Sequence, residues 1–569
     1  MKIETRQENS YSCISLKYNK LLTLTMNEED IKIPGTIHLV DLEGTLDVRH
    51  DGEKDIVLVP QPTEDPEDPL NWSKNRKRLL ALSLMIAVFS ADILSTSLSA
   101  VLLTIEADTG IPLANLNTGV GIQYLFFGWS TLLWQPFGLT YGRRPALLLG
   151  GLGVLLCTVW SAYVKSSGEW YVNRLLTGTF YGPIETLIEV CISDVFFAHE
   201  RGTYIAWYCW VLFSIPFACG VPAGFVASNL GWRWIPYICC IIAAACLIFM
   251  FFFLEETMYY RDPALELDGT DVISISENEN MSSTEEKGKN ADVDVAVDEV
   301  VDSTRSPALV YQRKTYAQKL KFWGARDSKQ RNVFFQSMWI PFSLIRFPSI
   351  AFGGMVVGSV LSWFNVVNAT IAVVLAAPPY NFSGNMIGVF FAAPFIGISV
   401  GAFFSGKIVD TWTTMRARNA RGFREPEERL WLSVVPMVTH PLGCFLFGIG
   451  AAHGIHWVGL AFGLAFVCAT FPMGSAVAIN YIIDCYKEVS GDGLVTMILI
   501  RNSLGFGFSY AVTPWLDAVG VQNLFIAIGC LGVFFWGLSF AVIVFGKKMR
   551  KGTAKSYWRF IAKYGLKAH

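Results

Sequence analysis

The sequence predicts an all-α membrane protein with twelve transmembrane helices arranged as two six-helix bundles. Three observations predict it. Across 569 residues, 52% are hydrophobic and 14% aromatic, with a mean hydropathy of +0.40 and 16% charged residues, against about 25% charged in an ordinary soluble domain. Twelve apolar runs of roughly 20 residues recur, the length that crosses a hydrocarbon core about 30 Å thick at 1.5 Å per residue. Polar, charged stretches separate them. Backbone groups in lipid must be satisfied within their own segment, so the runs are helices.

In order, the predicted spans are α1 79–101, α2 118–139, α3 146–164, α4 171–193, α5 203–227 and α6 235–254, then α7 345–367, α8 386–406, α9 431–451, α10 456–483, α11 494–515 and α12 523–546. Residues 1–78 form a polar N-terminal tail without a cleavable leader, and Met26 is a second candidate start. The tail ends in the proline-punctuated Asp65-Pro66-Glu67-Asp68-Pro69-Leu70-Asn71-Trp72, which is extended rather than helical. Residues 255–344 form a central loop whose run Ser274–Asp302 is too polar to bury a face and is expected to be disordered. Residues 547–569 form a basic, aromatic C-terminal tail, expected to lie at the surface of an anionic leaflet.

Loop charges orient the spans. Arg143 and Arg144 follow α2; Arg416, Arg418, Arg421, Arg424 and Arg429 follow α8; Lys547, Lys548, Arg550 and Lys551 follow α12. The alternate loops carry little beyond Lys165 and Arg233, and the first holds Glu106 and Asp108. The positive-inside rule then puts both termini in the cytoplasm. Of the sequons Asn368-Ala369-Thr370 and Asn381-Phe382-Ser383, Asn381 falls outside and is the candidate glycan site.

A repeat spaced by six spans is visible. Ile192-Ser193-Asp194 ends α4 and Ile482-Ile483-Asp484 ends α10, each followed by charged residues and a glycine, and the basic loops after α2 and α8 stand in the same relation. Two halves related by an axis along the membrane normal, with a solute site between them, explain this.

Several function classes lack support. The 45 basic and 47 acidic residues nearly cancel, which gives no argument for nucleic acid. The twelve cysteines show no CxxC pair and read as small core hydrophobes. No phosphate-cradling loop, zinc-protease motif or nucleophile elbow is present, so neither an enzyme nor a cofactor or metal is expected.

Polar groups inside the spans are the candidate site. Asp92 lies mid-α1, with Ser95, Thr96 and Ser99 at helical spacing. A charge at this depth costs roughly 2.5–3.5 kcal/mol, and protonating an ordinary aspartate at pH 7 costs about 4 kcal/mol. The two costs are comparable, so such an acid is suited to exchange a proton. In α4, Glu185 and Glu189 are one turn apart, and Arg174 lies about 16 Å along nearly the same face. Glu185 is therefore a candidate proton or cation site modulated by Arg174; a structural network tying α4 to α1 or α2 is the alternative. In α11, Arg501 and Asn502 form a polar pair, with Gly505 and Ser509 leaving room beside them. Asn365, Asn368 and Trp363 in α7 and Asn480 with Tyr481 in α10 are further candidates; asparagines also join helices in membranes.

Tyr141-Gly142-Arg143-Arg144-Pro145 between α2 and α3 resembles the end of the signature loop of the major facilitator superfamily, with Gln135 and Leu139 at the usual Gly and Asp positions. The resemblance implies an acid partner for Arg143 from elsewhere, Asp194 or Glu200. Gly406-Lys407-Ile408-Val409-Asp410 keeps the Gly and Asp spacing in the second half. Arg174-Leu175-Leu176-Thr177-Gly178 resembles the superfamily's α4 motif, associated with proton coupling, and Gly220-Val221-Pro222-Ala223-Gly224 resembles the antiporter motif that packs α5 on α8. Asp68-Pro69-Leu70-Asn71-Trp72, Gly231-Trp232-Arg233-Trp234, Glu255-Glu256-Thr257 and Pro426-Glu427-Glu428-Arg429-Leu430 look like the fungal drug:proton antiporter branch. The resemblance covers residues 60–546 and implies a conformational motif built on Gly142, Arg143, Arg144, Asp194, Arg201 and Asp410.

The expectation is a monomeric, proton-coupled transporter of a small organic solute in the plasma or vacuolar membrane. Phe126, Phe127, Trp129, Trp134 and Tyr181 suit an amphipathic cation. Efflux of a drug, toxin or secondary metabolite is one reading, uptake of an organic cation such as a polyamine a second, and a solute sensor without transport a third.

Overall fold

The computed structural model describes residues 33–35, 37–38, 58–60, 62–63, 65–259, 315, 318, 320–323, 334–419 and 423–564. Ser274–Asp302, Met26, Arg421 and the residues beyond 564 lie outside them.

The first half runs α1 Lys74–Thr96, α2 as the pair Leu113–Trp129 and Thr131–Tyr141, α3 Arg143–Ser161, α4 Ser167–Val195, α5 Ala198–Leu230 and α6 Trp234–Phe253. The second begins with a short helix Phe334–Leu344, then α7 Pro348–Ala376, α8 Gly384–Thr413, α9 Pro426–Ala452, α10 Trp457–Cys485, α11 490–520 and α12 521–564. By length and composition, ten helices among the described residues qualify as spans. The count becomes twelve for two local reasons. A single-residue break at Ser130 divides α2 into pieces of 17 and 11 residues, yet the Ser130 N–H still reaches the Phe126 carbonyl at 3.1 Å and the helix carries on. The 75-residue stretch Ser490–Tyr564 holds two spans, because Gly520 at φ 75° and ψ 167° turns the chain between them.

The observed helices overrun the apolar runs, chiefly at α7, which reaches Ala376, and at α4 and α5. Asn368 therefore sits within α7 rather than in a loop, whereas Asn381 is exposed between α7 and α8. α1, α4, α7 and α10 form the inner layer: 72%, 78%, 89% and 83% of their apolar windows are buried, against 33% for α6 and 39% for α8 and α9. The halves meet where α2 packs on α11 and α5 on α8. Small residues allow this closeness: a Cβ on Gly128 would strike Asn502, and one on Gly224 would press on the Gly384 carbonyl.

The loop residues that carried the resemblance act as clasps. Glu256 accepts the backbone N–H groups of Arg143 and Arg144 at 3.0 and 3.1 Å, capping α3 with negative charge. Glu255 holds Arg76 at 2.6 Å. At the opposite end, Trp232 and Arg233 reach Asp108 at 2.9 and 2.6 Å; the indole hydrogen bond first, then the guanidinium, hold the Asp108 carboxyl below its usual range.

The C-terminal segment holds more contacts with protein than a surface tail needs. α12 continues as helix to Tyr564, with Arg550 and Tyr557 fully buried. Arg550 is gripped by Glu425 at 2.9 Å, by Glu427 at 2.6 Å and by the Pro34 carbonyl; Tyr557 donates to Glu488. The apolar and aromatic side chains turn toward protein, so the segment docks on the second half, while Lys551, Lys555, Arg559 and Lys563 on its other face stay exposed. The N-terminal segment docks there too: β1 Ile37–His38 pairs antiparallel with β2 Phe423–Arg424. Gly35, at φ 92°, presses on the backbone of Asp484 and Cys485, where a Cβ would sit 2.9 Å from main-chain atoms.

Candidate functional site

The inner helices line a small cavity midway along the bundle, walled by both halves. α1 contributes Asp92 and Thr96, α2 Tyr124 and Phe127, α4 Tyr181 and Glu185, α5 Phe213, α7 Leu361 and Phe364, and α11 Arg501.

Asp92 is 2% exposed. The Tyr181 hydroxyl donates to its Oδ1 at 2.5 Å, and Oδ2 has no hydrogen-bond partner among the described residues. Thr96 turns its hydroxyl back to the Asp92 carbonyl at 2.7 Å, so the polar stripe of α1 is partly occupied with its own backbone. Glu185 forms an ion pair with Arg501, joining α4 of the first half to α11 of the second. Glu189, one turn further, is fully buried and neighbours Tyr208. Asn502 is also fully buried, and neither polar atom of its side chain has a partner among the described residues.

Arg174 does not pair with Glu185. Its guanidinium donates to Gln123 Oε1 at 3.0 Å and to the Ser95 carbonyl at 3.4 Å, and lies 3.9 Å from the centre of the Trp170 ring. It therefore ties α4 to α1 and α2, the alternative the sequence left open, and the cation opposite Glu185 is Arg501. Of the five aromatic residues singled out, Phe127 and Tyr181 line the cavity, stacked at 3.9 Å. Trp129 instead bonds Ser503 across the halves and Trp134 the Thr179 carbonyl. Trp363 packs on His440 and Phe508 within the second half, and Asn480 bonds back to Ala476. Sequence reasoning missed Tyr124, Phe213 and Phe364; nothing in an apolar run separates them from core.

The end bearing Arg143 is closed by charge. Arg143 meets Asp194 at 3.1 Å, the first of the two partners expected. Gly142, at φ 111°, makes the turn that sets Arg143 at the start of α3. Arg144 is 1% exposed and donates to the carbonyls of Phe251 at 2.6 Å and Lys321 at 2.7 Å. Arg201 is buried near the start of α5. In the second half Arg429 lies 3.4 Å from both Asp484 and Asp410. The repeat is thus visible in chemistry: Asp194 and Asp484, at corresponding ends of α4 and α10, each meet an arginine at the start of α3 or α9. Asp410 also accepts from Thr203 at 2.9 Å and abuts Gly202, crossing from α8 to α5.

A second cavity adjoins the first, sharing Thr96, Tyr124 and Pro216, and reaches Ser99, Leu102 and Asn117 toward the end bearing Asp108. The cavities thus lie on the side of the bundle toward that end, while the opposite end is clasped.

The family model described as Major Facilitator Superfamily matches residues 84–483. The chain belongs to the Major Facilitator Superfamily. Members of this superfamily are transporters of small solutes and not enzymes. An uncharacterized MFS-type transporter of Schizosaccharomyces pombe is 29% identical over 553 residues, covering 93% of this chain and 94% of that one. Protein HOL1 of Saccharomyces cerevisiae is 26% identical over 542 residues, with 88% and 91% covered. The multidrug transporter mdrA of Aspergillus fumigatus is 22% identical over 498 residues, with 84% and 73% covered. Among solved structures, the proton:xylose symporter XylE superposes with a TM-score of 0.54 at 13% identity, covering 83% of this chain and 97% of that one. That likeness establishes the superfamily fold of two six-helix bundles in this integral membrane protein.

Proposed function

We propose that the chain is a proton-coupled secondary transporter of a small organic cation, working by alternating access. The observation that carries this is the ion pair of Glu185 with Arg501 on the wall of an aromatic cavity that also holds Asp92. A carboxylate in this place has three competitors: the guanidinium of the other half, a proton and a solute cation. Proton or solute at Glu185 releases Arg501 and loosens the contact between bundles, so that occupancy and conformation change together. Aromatic faces such as Tyr124 and Phe364 complement an organic cation better than an anion or a neutral sugar.

Export is the direction suggested by the resemblance to drug:proton antiporters and by the multidrug relative. Uptake is the second reading, favoured by the cavities that lie toward the end opposite the arginine-rich loops. The positive-inside pattern supports a cytoplasmic location for the clasped end, the termini and the central loop, with Asn381 outside and glycosylated. The plasma membrane is the proposed location and the monomer the working unit.

Flux of a labelled organic cation in proteoliposomes carrying a pH gradient tests the proposal. Accumulation driven by the gradient, and lost in Glu185→Gln, is the expected result. Binding without movement would instead establish a sensor, and flux indifferent to the gradient would remove the proton from the cycle.

A further inference from the structure

The second cavity has a chemistry of its own. None of its lining residues is charged; its polar groups are amides and hydroxyls. Two of them, Asn365 and Asn368, are neighbours on α7. Asn365 donates through Nδ2 to the Gly505 carbonyl at 3.1 Å, and Asn368 through Nδ2 to the Phe364 carbonyl at 3.0 Å. A carbonyl oxygen only accepts, so both amides are fixed with the nitrogen toward backbone. Their Oδ1 atoms are left over. The Asn365 Oδ1 is buried, in a residue 6% exposed, and has no hydrogen-bond partner among the described residues. A buried acceptor without a partner is unfavourable, and a ligand that supplies a donor gains what the empty site lacks.

We infer that Asn365, assisted by Asn368, forms a second subsite that accepts a hydrogen bond from the far end of an elongated solute whose cationic end lies at Asp92 and Glu185. This rests on the cation reading of the first cavity. The separation follows from the helices that line both cavities. On α11, Arg501 and Gly505, whose carbonyl Asn365 holds, are four residues apart, roughly 6 Å along the axis, and on α7 Leu361 of the first cavity and Asn365 of the second are likewise one turn apart. The solute class is therefore an unbranched or narrow organic cation with an N–H or O–H donor about that far from its charge. A compact cation fills the first cavity alone.

Two probes of equal chain length test this on the purified full-length protein: butylamine, and the four-carbon amino alcohol with its hydroxyl at the opposite end. The readout is the ratio of their dissociation constants. Asn365→Leu is expected to shift that ratio about tenfold against the amino alcohol, with butylamine binding unchanged, which also certifies the fold. Asn368→Leu shifts it in the same direction by less. Glu185→Gln weakens both probes alike and leaves the ratio as it was. A ratio unmoved by Asn365→Leu and Asn368→Leu, or an equal loss for both probes in these variants, overturns the subsite while leaving the cation reading intact. Failure of the unaltered protein to bind either amine overturns the cation reading and the subsite with it.

Discussion

Arg501 of α11 and Glu185 of α4 form an ion pair across the two halves of the chain, each side chain almost wholly buried. Its energetics differ from those of a surface pair. Removing one partner of a buried pair leaves an uncompensated charge and costs about 3–5 kcal/mol, while replacing both by apolar residues is often neutral. Glu185→Gln is therefore expected to lower thermal stability by about that amount and to abolish gradient-driven flux. The double variant Glu185→Leu with Arg501→Met should recover the stability but not the flux. Melting in detergent and proteoliposome uptake, measured on the same preparations, separate the two effects.

Tyr181 holds Asp92 by a hydrogen bond of 2.5 Å to one carboxylate oxygen while the other has no partner among the described residues. Tyr181→Phe removes that donor without changing the ring that stacks on Phe127. A loss of about 0.5–1.5 kcal/mol of stability is expected from the missing hydrogen bond. Cation affinity should change while the stacked aromatic wall keeps its shape, and calorimetric titration against wild type checks this.

Asp410 and Gly202 make the contact that closes the clasped end between α8 and α5. Valine at this glycine has no room while Asp410 stays in place, so Gly202→Val should drive the population toward a state open at that end. A cysteine introduced at Thr203, read by its rate of modification from that side, should react faster in the Gly202→Val background, and an unchanged rate would refute the latch.

Glu425 holds the docked part of α12 through Lys547 and Arg550. Burial alone would raise its carboxyl, but the hydrogen bonds and charges of Lys547 and Arg550 bring it below its usual range. A carboxyl depressed in the folded state adds stability above its unfolded value, near 4.3, and loses it as pH falls through the folded value. Docking should thus be constant from about pH 5 to 8 and weaken only below about pH 4. Arg550→Ala should release the segment at every pH, and limited proteolysis of the C-terminus measures both.

Much of this was legible in the sequence, for reasons that particular residues make plain. Hydropathy located every span because lipid imposes a length and forbids unpaired backbone. Asp92, Glu185 and Arg501 stood out because ionisable groups are rare in apolar runs. Their partners did not. Helical spacing aligned Arg174 with Glu185 on one face, but about 16 Å of axis separates them, and the pairing of Glu185 with Arg501 joins distant parts of the chain, one in each half. Tyr124, Phe213 and Phe364 were hidden because a cavity wall and a core use the same side chains. The docking of Arg550 was hidden because nothing local marks Glu425 and Glu427 as its partners until the fold brings them near.

The short ribbon of Ile37–His38 against Phe423–Arg424 makes the order of the chain differ from the order of its mechanical attachments. If the polypeptide were severed between residues 259 and 334, the leading fragment would still carry a handle that seats on its companion. Two such pieces, expressed together, should find each other in equal numbers through that handle as well as through their greasy faces. Clipping the leading piece before position 39 would leave reassembly to the helix faces and to side-chain pairs such as Glu185 with Arg501.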